Sequence, residues 1–120
     1  MPNFKDAFHM LAITCALGLS VLCDTAAAAG SYFANKTVGV IRPPDGRPCT
    51  FFWLDGVSPA DPATPGVSWM VLRQAQTGYK ENLAVLMSAK LTGRTVNVTT
   101  NGVPVSECSG TVEAYVVELP

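Results

Sequence analysis

Apolar residues recur along this chain at two spacings, and the change between them picks out one helix among short strands. Between Thr77 and Gly93, Leu83, Leu86, Met87 and Leu91, with Lys90 among them, fall at helical intervals, so one side of the segment is apolar. Gly78 can cap its start, Glu81 lies near the positive end of the dipole, Lys90 occupies the last turn, and Gly93 stands where a left-handed residue closes a helix. The pattern predicts one helix over about 78–92. Elsewhere the apolar runs are short and β-branched or aromatic. Thr37 to Ile41 reads as a first strand, stopped by the turn chemistry of Pro43-Pro44-Asp45-Gly46. Thr50 to Leu54 reads as a second, with Phe51 and Trp53 on one face and Phe52 and Leu54 on the other. A strand apolar on both faces belongs in a core, or beneath a helix or partner.

The remaining elements follow from punctuation. Pro59, Pro62 and Pro65 cannot donate to a ladder, so 56–66 is a loop. Val67 to Leu72 resumes as a third strand and Arg94 to Thr100 as a fourth. Asn101-Gly102 signals a tight turn. Residues 103–109 form a short irregular strand carrying Cys108. Thr111 to Leu119 is the last strand, with Val112, Ala114 and Val116 on one face and Tyr115, Val117 and Leu119 on the other. Residues 30–36 are polar and aromatic, either a flexible lead-in or an edge segment. The predicted fold is mainly β: a small five-stranded OB-fold-like Greek-key barrel with one α-helix between strands 3 and 4.

The first residues follow a different logic. Lys5 gives a positive start, Leu11 to Leu22 is nearly all apolar, and Thr25 to Ala29 supplies small residues. That order is the signature of an export leader, and the apolar run is short of the roughly 20 residues that span a bilayer. We expect residues 1–29 to be a signal peptide, cut after Ala29 or at Ala27 or Ala28. Residues 30–120 are then a single domain, secreted or periplasmic, with no membrane insertion after cleavage. Within it Lys36, Arg42, Arg47, Arg73, Lys80, Lys90 and Arg94 are matched one for one by Asp45, Asp55, Asp61, Glu81, Glu107, Glu113 and Glu118. This balance argues against nucleic acid as a partner, because such binding depends on neutralising phosphates.

Cys15 and Cys23 fall in the leader, leaving Cys49 and Cys108. An even number in an exported chain reads as one disulfide. The competing reading is two free thiols or a metal pair, for which no histidine or third thiol completes a tetrahedral site. A disulfide here closes a loop of about 60 residues, worth roughly 4 kcal/mol by chain entropy.

Catalytic chemistry is thinly represented. The one histidine, His9, lies in the leader, so the domain has no imidazole for a Ser–His or Cys–His pair. No phosphate loop, zinc signature or nucleophile elbow is present. We expect no enzyme, no cofactor and no metal. The residual enzymatic alternative is a carboxylate pair, Asp55 and Asp61, which flank the proline loop. Binding chemistry is better represented, since Trp and Tyr stack on sugars and bases while offering a polar tip. Trp53 and Trp69 sit within apolar strands and are expected in the core. Tyr32, Phe33 and Tyr79 open their segments and are the better candidates for exposure.

Two stretches carry a family resemblance. Tyr79-Lys80-Glu81 through Thr92-Gly93-Arg94-Thr95-Val96-Asn97-Val98 resembles the helix and following strand of the subtilase-cytotoxin B subunit. In both, an aromatic-Lys-Glu opening leads through an apolar helix to Thr-Gly and a β-branched strand. Val38-Gly39-Val40-Ile41, followed by Cys49, is also similar to that family's first strand and cysteine. The resemblance covers about half of residues 30–120. It implies an OB-fold assembled as a homopentamer with its helices lining the pore. It also implies binding of cell-surface glycans, often sialylated, to deliver a separate catalytic A subunit. The chain departs from the family upstream of the first strand, where the glycan-contacting serine lies, because that segment is shortened here to 30–36. It departs again after Asn101. Ser31, Tyr32, Phe33 and Tyr79 are the candidate ligand-binding residues. The alternative is a small periplasmic OB-fold protein that binds another ligand or protein partner and has no toxin role.

Overall fold

The computed structural model describes residues 30–120. The expected leader, its cleavage point, Cys15 and Cys23 lie outside the described residues. Five strands are present: β1 (Tyr32–Arg42), β2 (Cys49–Leu54), β3 (Met70–Arg73), β4 (Thr95–Val105) and β5 (Thr111–Glu118). One α-helix, α1 (Tyr79–Thr92), lies between β3 and β4, as the periodicity predicts. The strands close into a barrel in the order β1-β2-β3-β5-β4. All neighbours are antiparallel except β3 and β5, whose parallel pairing sets Met70 opposite Val112 and Val71 opposite Glu113. No described helix is long and apolar enough to cross a membrane.

β2 shows why both its faces are apolar. Phe52 and Leu54 point into the barrel with Val38, Met70, Leu72, Val96, Val98 and Val112. Phe51 points outward into a second buried cluster with Cys49, Val71, Val105 and Cys108, and Trp69 packs against it. That outer cluster is pinned by the Cys49–Cys108 disulfide, whose Cα atoms are 5.9 Å apart. Cys108 is carried by a single 3-10 turn, Ser106–Cys108, where an irregular strand was expected. The turn lets the chain reverse beneath β2 and presents the thiol to it.

Bulges explain where strand patterns depart from the sequence reading. β1 starts at Tyr32, well before Thr37, because its first residues pair with β4: Tyr32 with Thr99 and Phe33 with Val98. An extra residue before Lys36 breaks the alternation. Asn35 there is left-handed (φ 53°), and its N–H donates to Asn97 Oδ1 at 2.9 Å. β3 is shorter than expected, since the chain from Val67 to Trp69 is not laddered. β4 runs straight through Asn101-Gly102, correcting the expected tight turn. Gly102 takes φ +73° and the Asn101 amide oxygen accepts from the Val103 N–H at 3.0 Å. The turn chemistry is spent on a bulge that lets one long strand bend around the barrel.

β5 carries an extra residue opposite the Thr99–Thr100 step, where Thr99 faces Val116 and Thr100 faces Ala114. The side-chain alternation therefore flips at Tyr115. Val112, Ala114 and Val117 enter the core, Tyr115 is exposed, and Val116 is displaced from the face expected for it.

α1 begins after Gly78 and ends at Gly93, both left-handed. Its inward stripe is Asn82, Leu86 and Ala89. Met87 and Leu91, expected on the same apolar side as Leu86, face outward at 48% and 82% exposure. The helix is therefore apolar on two faces, and the barrel uses one of them.

Candidate functional site

Two concave surfaces flank the barrel. The larger, about 650 Å³, is lined by Trp53, Asp55, Ser58, Val67, Ser68 and Trp69, with Leu54, Gly56, Val57 and Gly66 between them. Its position follows from the strand pattern. Trp53 sits on the outward face of β2, and the loop that leaves β2 returns with Trp69 just ahead of β3. The two indoles meet at 4.5 Å between centroids with planes 66° apart, and Phe51 packs edge-on to Trp69 at 6.2 Å. Both tryptophans are half-buried, correcting the expectation that they belong wholly to the core. Trp53 lies on the outward face of β2 and Trp69 just ahead of β3, so both stand outside the inner cluster.

Gly39 makes the arrangement possible. β1 carries an extra residue between Val38 and Ile41, opposite Trp53. A β-carbon at Gly39 would stand 2.1 Å from Trp53 Nε1 and 2.6 Å from Asp55 Oδ1. Only glycine lets both groups pack this closely over β1, and the indole N–H and the carboxylate become neighbours there. The Asp55 N–H donates to Thr37 O at 2.9 Å, which extends the β1–β2 pairing to the groove's edge.

The loop wall is tied down by hydrogen bonds and packing. The Ala60 N–H donates to Val67 O at 2.8 Å, and Val57 and Ala60 anchor the loop in the core. Asp61 is buried at 2% exposure. Its Oδ2 accepts from Thr100 Oγ1 at 2.6 Å and from Ser31 Oγ at 3.3 Å, while Oδ1 accepts from the Ala63 N–H at 2.9 Å. The two carboxylates considered as a catalytic pair thus stand in different surroundings. Asp61 ties the loop to β4 and to the start of β1, and Asp55 faces the groove.

The second surface, about 360 Å³, is lined by Ile41, Pro43, Pro44, Thr50 and the helix residues Tyr79, Leu83, Met87, Lys90 and Leu91. The Tyr79 hydroxyl and Thr50 Oγ1 lie 2.8 Å apart, which fixes the ring at its base.

The candidate ligand residues are dispersed by this fold. Ser31 is half-buried, and its hydroxyl is committed to Asp61. Tyr32 is 58% exposed at the start of β1, and Phe33 packs against the core. Tyr79 belongs to the helix-side groove. None of the four lines the tryptophan groove. Trp53, Trp69, Ser58, Ser68 and Gly39 were absent from the expected site. The available signal was that Trp53 shares the outward face of β2 with Phe51. Among the described residues no group of three His, Cys, Asp or Glu is placed to hold a metal ion.

Comparison of the chain with protein-family models, with curated proteins and with solved structures found no match.

Proposed function

We propose that this chain is an exported OB-fold binding module that recognises a glycan without chemistry. One observation carries the reading: a groove walled by two half-buried indoles with a free-facing carboxylate and serine hydroxyls at its edge. Indole faces stack on the C–H faces of pyranose rings, and hydroxyl and carboxylate groups satisfy ring hydroxyls. The OB-fold reading is supported by the barrel order, the parallel β3–β5 pair and the helix between β3 and β4. The leader pattern of residues 1–29 and the disulfide are consistent with export.

The groove offers its own assay, because Trp53 and Trp69 are the only tryptophans in the chain. Intrinsic fluorescence during titration with a glycan panel should change and saturate. Trp69→Ala should weaken binding at least about tenfold, on the scale of one stacked aromatic. A flat response to every glycan at millimolar concentration overturns the reading and favours a different ligand or a protein partner.

The same proposal assigns the outward face of α1 to a second copy of the chain, in a ring of the kind that the resemblance implies. Met87 and Leu91 supply its apolar contact. Native mass under non-reducing conditions should be a multiple of the monomer, and Leu91→Glu should reduce it to one. A monomer at high concentration removes the ring, and with it the reason to look for a catalytic subunit.

A further inference from the structure

The charge of the tryptophan groove narrows its ligand further than the resemblance does. Asp55 is the only ionisable side chain among the lining residues, and no Lys or Arg is among them. Three of the arginines are engaged with carboxylates elsewhere. Arg42 and Arg47 both pair with Asp45, and Arg73 pairs with Glu113 and Glu107. Lys90 lines the other surface, on the helix. Among the lining residues an acidic sugar meets a carboxylate and no compensating cation.

The polar part of the lining suits an uncharged sugar instead. Trp53 Nε1 is a donor only, and Asp55 Oδ1 is an acceptor when ionised. Both pack over Gly39, where a β-carbon would collide with them, so a donor and an acceptor of two lining residues stand side by side. A sugar hydroxyl is both, and one hydroxyl, or two adjacent ones, can accept from the indole N–H and donate to the carboxylate. The Ser58 and Ser68 side chains line the same groove and add amphoteric hydroxyls. The volume, about 650 Å³, falls inside the usual range for small-ligand pockets of about 300–1,000 Å³.

We infer that the tryptophan groove binds an uncharged oligosaccharide, and that Asp55 excludes sialylated and uronate-containing glycans. This inference rests on the glycan reading above and fixes the class of sugar within it. At the few-ångström separations inside the groove, two like charges cost at least about a tenfold loss of affinity, even with solvent screening.

The test is a paired titration of the intact, disulfide-bonded protein, followed by tryptophan fluorescence. One set holds lactose, N-acetyllactosamine, maltotriose and chitotriose. The other holds sialyllactose, sialyl-N-acetyllactosamine and a galacturonate trisaccharide. The strongest ligand should come from the uncharged set, with the acidic set at least about tenfold weaker. Asp55→Asn, on the surface and unpaired among the described residues, should bring the two sets to within about threefold while leaving the melting temperature unchanged. An acidic glycan that binds as well as or better than its neutral counterpart overturns the inference and leaves the glycan reading standing. A gap that persists in Asp55→Asn overturns the role given to Asp55. No response to either set takes down the glycan reading and this inference together.

Discussion

At the scale of single residues, Asp45 and Asp61 show how little a carboxylate's identity says about its role. Asp61 is buried under hydroxyls from Ser31 and Thr100 and stitches the loop wall to two strands. Asp45 lies at the surface, where Arg47 donates through Nε to Oδ1 at 2.9 Å and through Nη2 to Oδ2 at 2.6 Å. Those hydrogen bonds are the largest cause; desolvation opposes them, the charges of Arg47 and then Arg42 add to them, and the carboxyl is held at about 2, below the ordinary 3.8. A pKa lowered by folding stabilises the folded state above the unfolded pKa, and the contribution is lost as pH falls through the folded one. Asp45→Asn should therefore lower the melting temperature near neutral pH. The two proteins should converge as pH falls from 3.8 towards about 2. The effect is modest and screened by salt, because the pair is solvent-exposed. Thermal melts across that range, at low and high salt, check the sign. The turn around Asp45 was legible in Pro-Pro-Asp-Gly. The burial of Asp61 was not, since its partners are 30 and 39 positions away.

At the scale of elements, α1 is attached to the barrel by polar groups as well as apolar ones. The bulge at Tyr115 turns backbone groups of β5 out of the ladder. Asn82 reads them: its Nδ2 donates to Tyr115 O at 3.1 Å, and its Oδ1 accepts from the Val117 N–H at 3.2 Å. Gln76 does the same one step earlier, donating to Ala114 O at 3.0 Å and accepting from the Arg73 N–H at 2.7 Å. These two buried amides continue the closure where the short parallel pairing of β3 and β5 stops. Asn82→Leu keeps the volume but strands a buried carbonyl and N–H, and should cost about 2–3 kcal/mol in urea denaturation. A loss under about 0.5 kcal/mol, the level of an ordinary surface change, would show the latch to be dispensable. The helix limits were readable from Gly78 and Gly93. The inward stripe was not, because apolar side chains occur on two faces and a polar Asn82 belongs to the buried one.

At the scale of the whole molecule, stability rests on two clusters divided by one sheet. The inner cluster fills the barrel. The outer one, under Ser106–Cys108, is small, and the disulfide across 59 positions ties it down. Replacing Cys49 and Cys108 together with Ser should cost about 4 kcal/mol, read as a lower denaturant midpoint. Trp69 packs on that cluster, so the same change should also loosen the tryptophan groove and alter its fluorescence before global unfolding. Coincident transitions would show that groove and barrel unfold as one unit.

The order of strands and helix and the two-faced character of β2 were legible in the sequence, while the turn expected at Asn101-Gly102 and the strand expected over 103–109 were not found. The legible features depend on local periodicity, on turn residues and on where proline forbids a ladder. Cys49 and Cys108 were also legible as a pair, because they are the only two thiols in residues 30–120. Which face of α1 the barrel takes, where β5 flips, and which aromatics share a groove emerge only once the strands are packed. Each is a matter of bulges and partners distant in the chain. One extra residue in a strand reverses every side chain beyond it, and no local pattern records that reversal.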